Sequence, residues 1–431
     1  TLYGSKYMSA KDFAAEHLLG AGTTDCDHWH DGAGFLNHHV GFTLQFEQAL
    51  QAISPKLTVP YWEYSSDAYL YDAWNESKIF DKDWFGESTP TNSGHIIQDG
   101  GTWNELEVPS GSDYLTWDTS STGTLNPRVS AYGALRSPWN NIDDNYVRRT
   151  DLTYGGSTFT MPGCTEMTSC YNSDSFSSIS DCMNGFTHGP VHILIGGAYN
   201  DNVDFSDYSW VQKAGLLLYF KIFWRMGFTR CPSVNYCTDN NIAESECVCS
   251  IPDSILEEYG VNYIAGVTGF ADYVENFGGY NTSQLQDEEL MLTLLRLHED
   301  VGSVGEFFTS NAAFEPLFWP LHGQIERLIG LKRINVAANT TTLDETWGFA
   351  TWVSGSGGAF LDGICDWSDV SSGADYLQMT NSSASYDMPT CVLHEEIFCD
   401  GQNEDDLLEF SGFVEADETY TNKDMYAFIH P

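Results

Sequence analysis

The sequence predicts a mainly α-helical protein with long loops, a cysteine-rich insertion and a loop-rich or β-rich C-terminal segment. Apolar residues recur at three- and four-residue steps in residues 8–55, 183–195 and 212–227, which is the period of a helix with one buried face. Six of the 12 histidines in the 431 residues form two groups of three that are widely separated in the chain. The stretches 85–180 and 345–431 are rich in small and polar residues and lack a long period, which is typical of loops.

Composition limits the partners of this chain. The formal net charge is −43, because only 18 lysines and arginines stand against 61 acidic residues. Such a surface repels nucleic acids and anionic membranes, so neither is expected as a partner. The longest apolar stretch, residues 214–228, contains Lys221 and Arg225 and therefore predicts a buried helix rather than a membrane span. The sequence leaves the oligomeric state open.

Cysteines indicate an oxidising compartment. The chain has 11 of them, so an odd one remains when the others pair. A cluster in the insertion reads either as disulfides or as a zinc site, and the absence of a C-x-x-C pair favours disulfides. This cluster consists of Cys231, Cys237, Cys247 and Cys249. Glycosylation sequons at Asn75, Asn281, Asn339 and Asn381 also favour a secreted, extracellular glycoprotein.

The first helical region contains one group of histidines. Ser9 and Asp12 precede an apolar pattern that carries His17, and Val40 to Ile53 forms a second amphipathic helix. His30 and His39 are nine residues apart, with Phe35 and Leu36 between them. Neutral imidazoles are donors that copper accepts in both of its common oxidation states.

A second group lies far along the chain. His188 and His192 stand at i and i+4, so a helix places both rings on one face. His322 follows in another helical segment, after Glu315-Pro-Leu-Phe-Trp319. The spacing of the first two histidines also occurs in many buried helices, so the surrounding motifs decide how it is interpreted.

These motifs occur together in one family. Phe35-Leu-Asn-His-His39 runs into Phe46-Glu47, Val59-Pro-Tyr-Trp62 follows, His188-Gly-Pro-Val-His192 precedes Gly196-Gly197, and Glu315-Pro316 leads to His322 and Arg327. As a set, these strings resemble the type 3 copper proteins: tyrosinases, catechol oxidases and molluscan-type haemocyanins. The resemblance implies a four-helix-bundle core that holds two copper ions.

The resemblance also implies a ligand set. It consists of His17, His30, His39, His188, His192 and His322. His28 competes with His17 for the first position, and Cys26 is expected in a disulfide rather than in a thioether with His28. At the position of the family's Trp-His-Arg, this chain has His38-His39-Val40, which changes the surroundings of the ligand.

Two further expectations concern residues behind the ligands. Glu326 and Arg327 match an Asp-Arg pair of the family and are expected to form a buried ion pair, with a surface salt bridge as the alternative. Gly189 stands where members with strong monophenol activity often have Asn, and residues 176–187 contain no Glu to support it. Oxidation of o-diphenols is therefore favoured over hydroxylation of monophenols.

The family pattern sets the domain prediction. Residues 1–344 form the dicopper domain. Within it, residues 198–303 separate two stretches that lie closer together in the family. These residues are therefore expected to form a disulfide-rich insertion with two or three helices, one of them over 287–298. Residues 345–431 form a separate segment closed by Cys391 and Cys399. The predicted function is an extracellular oxidase that uses dioxygen to convert a small o-diphenol to an o-quinone. The alternatives are a haemocyanin-like oxygen carrier and a non-catalytic structural protein that retains the fold.

Overall fold

A computed structural model of the chain describes a helical core and parts of the segments attached to it. The described residues are 3–4, 7–21, 29–30, 32–71, 74–92, 94–108, 146–150, 153–154, 157–158, 160–197, 208, 215–216, 219, 222–223, 226–229, 241, 250–300, 304–349, 363–366, 390–393, 403–408 and 420–428. The predictions that concern Cys26, His28, Cys399 and the cluster at 231–249 lie outside these residues.

Helices make up most of the described secondary structure, which confirms the predicted fold class. They are α1 (Ala10–Ala21), α2 (Gly34–Ile53), α3 (Tyr64–Leu70), α4 (Cys164–Tyr171), α5 (Phe176–Cys182), a π-helical turn (Met183–His188), α6 (Gly189–Gly196), α7 (Asp253–Tyr259), α8 (Val261–Val267), α9 (Phe270–Gly278), α10 (Thr282–Leu285), α11 (Glu288–Arg296), α12 (Phe318–Ala337) and α13 (Asn422–Phe428). Short 3₁₀ turns cover Trp74–Glu76, Lys78–Phe80, Leu297–Asp300, Glu306–Phe308 and Ala312–Phe314. Among the described residues, none of the helices combines the length and apolar character that crossing a membrane requires.

Four helical segments converge on one apolar core: α1, α2, the π-helical turn with α6, and α12. Helices α2 and α12 are joined by an aromatic stack in which the rings of Phe46 and Trp319 lie 3.7 Å apart at 9°. Phe13 of α1 meets both rings edge-on, at 5.4 Å from Phe46 and 5.3 Å from Trp319. Burial of such large aromatic rings is the main stabilising contribution that each helix brings to the core.

Residues 160–182 depart from the predicted long loops, because α4 and α5 lie here. Both helices are short and rich in polar residues, so their apolar period is weak. Ser175 caps the start of α5 by accepting the backbone N–H of Ser178, and a disulfide joins Cys170 to Cys182. Capping and a covalent crosslink stabilise this hairpin where burial alone is limited.

The described part of the insertion has an apolar core of its own. Helices α7 to α11 lie here, more than the two or three predicted, and α11 with the following turn corresponds to the predicted helix at 287–298. Fully buried residues include Phe223, Ile264, Phe270, Val274 and Leu294. The described part of the insertion is therefore stabilised by burial of its own side chains.

The C-terminal segment contributes a strand pair and one helix among the described residues. Strands β3 (Gly363–Asp366) and β4 (Thr390–Leu393) pair antiparallel, and their register sets Cys365 opposite Cys391. A second two-stranded pair, β1 (Thr153–Tyr154) with β2 (Ser157–Thr158), lies earlier in the chain. Helix α13, which the sequence did not predict, packs Met425 against Val40 of α2. The boundary at residue 344 stays a prediction.

Candidate metal centre

The first three histidines meet in one group. His17 lies on α1, His39 on α2, and His30 in the turn before α2. Their ligand nitrogens all lie within 4.8 Å of one another, and Nε2 of His39 is 3.4 Å from Nε2 of His17. On the other side of these two rings, Nδ1 of His17 donates to the carbonyl of Ser310 and Nδ1 of His39 donates to the carbonyl of Phe35, each at 2.7 Å. A carbonyl can only accept, so the lone pair of each ring is on Nε2 and points into the group.

The second three histidines form a matching group. Nε2 of His188 lies 2.9 Å from Nε2 of His192 and 3.1 Å from Nε2 of His322. His192 donates through Nδ1 to the carbonyl of Phe307 at 2.7 Å, which again leaves its Nε2 lone pair inside the group. The i, i+4 spacing of His188 and His192 therefore places both rings on the same side, as the sequence predicts.

The two groups face each other across the core. The rings of His39 and His322 are stacked, with centroids 4.2 Å apart and planes at 6°. The rings of His30 and His188 are also stacked across the gap, with centroids 6.3 Å apart and planes at 25°. Five of the six side chains are buried, and His30 is half-buried. The arrangement is thus a single pocket lined by six imidazoles.

One backbone segment, residues 305–310, orients a histidine from each group. It supplies the carbonyl of Phe307 to His192 and the carbonyl of Ser310 to His17. The segment can lie close to α6 because the glycines at this contact have no side chains. A Cβ added to Gly196 would lie 2.5 Å from the nitrogen of Phe308, and one added to Gly305 would lie 2.1 Å from the carbonyl of Arg148. This close packing explains Gly196, whereas a Cβ at Gly197 would lie 1.9 Å from the carbonyl oxygen of Thr150.

The Val59-Pro-Tyr-Trp62 motif and Tyr64 connect the second group to its surroundings. The backbone N–H of Trp62 donates to the carbonyl of Pro320, two residues before His322, at 2.8 Å. The buried hydroxyl of Tyr64 donates to the carbonyl of Thr187, beside His188, also at 2.8 Å. Trp62 and Tyr64 together therefore connect α12 to the π-helical turn.

Trp29 packs beside the first group. Its buried ring lies 5.1 Å from the ring of His17 and 5.3 Å from that of His39. The ring sits directly against Gly20 of α1, where an added Cβ would be 1.6 Å from Nε1 of Trp29. The ring of His38, which stands in place of the family's Trp, lies 5.5 Å from the ring of Trp29.

Burial keeps four of the imidazoles neutral, those of His39, His188, His192 and His322. It lowers the pKa of His39, His188 and His322 well below the ordinary value, and neighbouring histidines lower it further. Burial also lowers the pKa of His192 to about 3, although its bond to the carbonyl of Phe307 acts in the opposite direction. Neutral imidazole is the form that binds a metal, so these side chains are ready as ligands at neutral pH.

Glu326 and Arg327 do not form the expected ion pair. Arg327 is exposed, pairs with Glu63 and lies over the ring of Tyr61 at 4.8 Å. Oε1 of Glu326 is buried without a hydrogen-bond partner, and burial raises the pKa of this carboxyl to about 8, with the Thr43 hydroxyl acting against the rise. Adjacent residues on a helix point in different directions, so one faces the core while the next faces solvent. The buried ion pair behind the site is instead that of Arg149 with Glu315.

The donor set fits a pair of transition-metal ions. Each group offers three imidazole nitrogens within 4.8 Å of one another, and none of the six ligands is a carboxylate or a thiolate. Uncharged nitrogen donors in a dry pocket suit copper, whereas magnesium and calcium require oxygen ligands. The Nε2 lone pairs of His17 and His39 face each other at 3.4 Å, an arrangement that a shared cation would stabilise.

Several residues that shape the site carry little or no signal in the sequence. Phe307 and Ser310 act through backbone carbonyls, which any residue type supplies, so no sequence pattern marks them. Arg149 lacks a motif, although a second consecutive arginine in a chain this poor in bases is a weak signal. Gly189, by contrast, stands out in the sequence, and an added Cβ there would lie 2.9 Å from the carbonyl of Asn184.

Part of the chain is similar in sequence to known proteins. Residues 7–208 match the model of the common central domain of tyrosinase. Similar proteins include tyrosinase-like protein 2 of Margaritifera margaritifera, 33% identical over 92 residues, which are 20% of this chain and 19% of that protein. The tyrosinase of Streptomyces lincolnensis is 26% identical over 130 residues, 27% of this chain and 45% of its own length. Grixazone synthase of Streptomyces griseus is 47% identical over 38 residues, 9% of this chain and 12% of that protein.

The matched segments span less than half of each of these relatives. Five of the six histidines lie within residues 7–208, and His322 lies beyond them. The geometry of the pocket, rather than the family match, joins His322 to His188 and His192.

Proposed function

Because the chain belongs to the type 3 copper protein family, we propose that it is a dicopper oxidase that converts small o-diphenols to o-quinones with dioxygen. His17, His30 and His39 would hold one copper ion, and His188, His192 and His322 the other. Two diphenols together lose four electrons and four protons, which reduce one dioxygen to two waters. Bound copper would supply the redox chemistry of this exchange.

The observation that carries this proposal is the pairing of two three-histidine groups in one buried pocket. The carbonyls of Ser310, Phe35 and Phe307 fix the tautomers of His17, His39 and His192. Fixed, neutral ligands hold two ions without rearrangement, and the surrounding aromatic residues exclude bulk water.

The exposure of the ligands favours one side for substrate entry. His30 is half-buried and His192 is 8% exposed, whereas the other four histidines are 1–3% exposed. We propose that a flat phenolic ring approaches past His30 and His192.

The surroundings of His188 favour diphenols over monophenols. The next residue, Gly189, has no side chain to hold a water molecule or a proton acceptor, and residues 176–187 contain no Glu. A monophenol must lose a proton before it is hydroxylated, and an o-diphenol depends less on an added base because it is more acidic and can chelate.

We also propose an extracellular location. Support comes from the disulfide between Cys170 and Cys182, since such bonds persist mainly in oxidising compartments. The exposed sequon at Asn281 is in keeping with this setting.

Kinetics on copper-loaded protein test the proposed activity. We expect oxygen consumption with catechols, and a kcat/KM at least tenfold lower with the matching monophenols. Reversible oxygen binding without catechol turnover would favour the carrier function instead. A protein that took up no copper would favour a structural role.

A further inference from the structure

We infer that Asn184 is a positioning residue that ties the ligand loop of the first group to the ligand turn of the second. Its side-chain Nδ2 donates to the backbone carbonyl of His30 at 2.8 Å, across 154 positions in sequence. Asn184 itself lies in the π-helical turn that ends at His188. This inference rests on the proposed pair of copper ions.

His30 is the ligand that most needs an external support. The other five predicted ligands lie on helices or on the π-helical turn, whereas His30 lies in a turn before α2. It is also the half-buried member of the set, so the surrounding core restrains it less. The hydrogen bond from Asn184 to the backbone carbonyl of His30 therefore fixes the position from which the His30 ring enters the pocket.

The π-helical turn is a firm anchor for this bond. The carbonyl of Asn184 accepts the N–H of Gly189, and the hydroxyl of Thr187 donates to the carbonyl of Met183 at 3.0 Å. The hydroxyl of Tyr64 donates to the carbonyl of Thr187, and the disulfide at Cys182 lies just before the turn. π-Helical turns are uncommon and often occur at functional sites.

The bond links the two groups at the side that we assign to the substrate. The rings of His30 and His188 lie 6.3 Å apart at 25°, and the Asn184 bond joins the segments that carry them. It therefore fixes the position of the His30 ligand relative to the second group. Partners that orient a metal ligand commonly change metal affinity by about 10- to 100-fold when removed.

The test uses Asn184→Asp, which keeps the shape of the side chain but replaces the N–H donor with an acceptor. Asn335→Asp is the matched control, because the Asn335 amide also donates at 2.8 Å to a distant oxygen, the Tyr171 hydroxyl, away from the pocket. Asn184→Ser is the second variant if the Asp variant fails to fold. Copper per chain is measured after dialysis against a graded chelator, together with the electron paramagnetic resonance of the Cu(II) form and the melting temperature.

We expect Asn184→Asp to lose one of two coppers at a chelator concentration at least tenfold lower than wild type requires. We also expect an unpaired Cu(II) signal to appear as the coupling between the ions is lost. Asn335→Asp should retain both coppers, show no unpaired Cu(II) signal and have a melting temperature similar to that of the wild type. Wild-type copper retention in both Asn184 variants would overturn this inference alone, whereas a wild-type protein that bound no copper would overturn it together with the proposed function.

Discussion

At the scale of single residues, the pocket depends on imidazoles that remain uncharged while packed against each other. Nε2 of His188 lies within 3.1 Å of the Nε2 atoms of both His192 and His322. A proton on any of these atoms would face neighbouring rings rather than water, so burial and mutual repulsion both favour the neutral form. Each ring is therefore available to share a metal ion.

Replacement of His322 by Ala should remove the copper of the second group and the oxidase activity together, because the remaining two imidazoles no longer enclose the ion. Copper per chain should fall from two to one. His95→Asn is the control, since His95 lies outside both groups in a left-handed turn (φ 54°) that Asn also adopts. Two retained coppers in His322→Ala would contradict the proposed ligand role of His322.

Glu326 gives a prediction about pH. Its pKa is raised from the ordinary 4.5 to about 8, so between these values the unfolded carboxyl releases its proton while the folded one keeps it. Folding then takes up a proton, and stability falls as pH rises through this window. Glu326→Gln should therefore raise the melting temperature more at pH 9 than at pH 5. The difference should amount to a few kcal/mol of unfolding free energy, because a tenfold change in proton affinity is worth about 1.4 kcal/mol. Equal gains at both pH values in thermal melts would refute the buried state of this carboxyl.

At the scale of elements, one short backbone segment hydrogen-bonds to a ligand of each group. Residues 305–310 accept hydrogen bonds from His192 and His17, and Gly196 and Gly305 let the segment lie against α6. The backbone N–H of Gly305 also donates to the carbonyl of Gly196 at 2.9 Å. A displacement of this segment would therefore move ligands in both groups at once.

Gly305→Ala should lower copper retention in both groups, because the added Cβ would lie 2.1 Å from the Arg148 carbonyl and must push the segment away. Gly330→Ala in α12 is the control. No atom lies within 4 Å of an added Cβ at Gly330, so this change should leave copper binding intact and stabilise the helix by up to about 1 kcal/mol. Chelator titration and thermal melts compare the two variants, and normal copper retention in Gly305→Ala would contradict the role of the segment.

At the scale of the whole molecule, the sequence predicted what depends on residue type and spacing. The helical class and the shared face of His188 and His192 follow from side-chain patterns, whereas the resemblance to the type 3 copper proteins implied the convergence of six distant histidines. Backbone acceptors such as Phe307 and Ser310 carry no such pattern. The predicted Glu326–Arg327 ion pair was wrong because adjacent residues on a helix point in different directions. Helices α4 and α5 were not predicted because caps and a disulfide, rather than an apolar period, stabilise them.

The metal-free protein as a whole should be sensitive to acid. The pKa of His192 is about 3 in the folded chain, and those of His39, His188 and His322 are also lowered, whereas an unfolded imidazole titrates near 6.5. The unfolded chain thus binds more protons below about pH 6.5, so this contribution to stability is complete above that pH and is lost as pH falls. Melting temperatures of the metal-free protein should drop steeply between pH 7 and pH 4. The drop should be smaller in His192→Gln, and an unchanged slope would contradict the neutral, buried state of this ring.

The most direct measurement is the copper content of the purified, copper-loaded chain, read together with its near-ultraviolet absorption before and after exposure to oxygen. We predict two coppers per chain and a band that appears with oxygen and disappears when oxygen is removed. His192→Ala and His322→Ala should each hold one copper and lack the band. A wild-type chain that holds no copper, or that holds one copper and shows no oxygen-dependent band, would contradict the assignment of the six histidines to a two-copper centre.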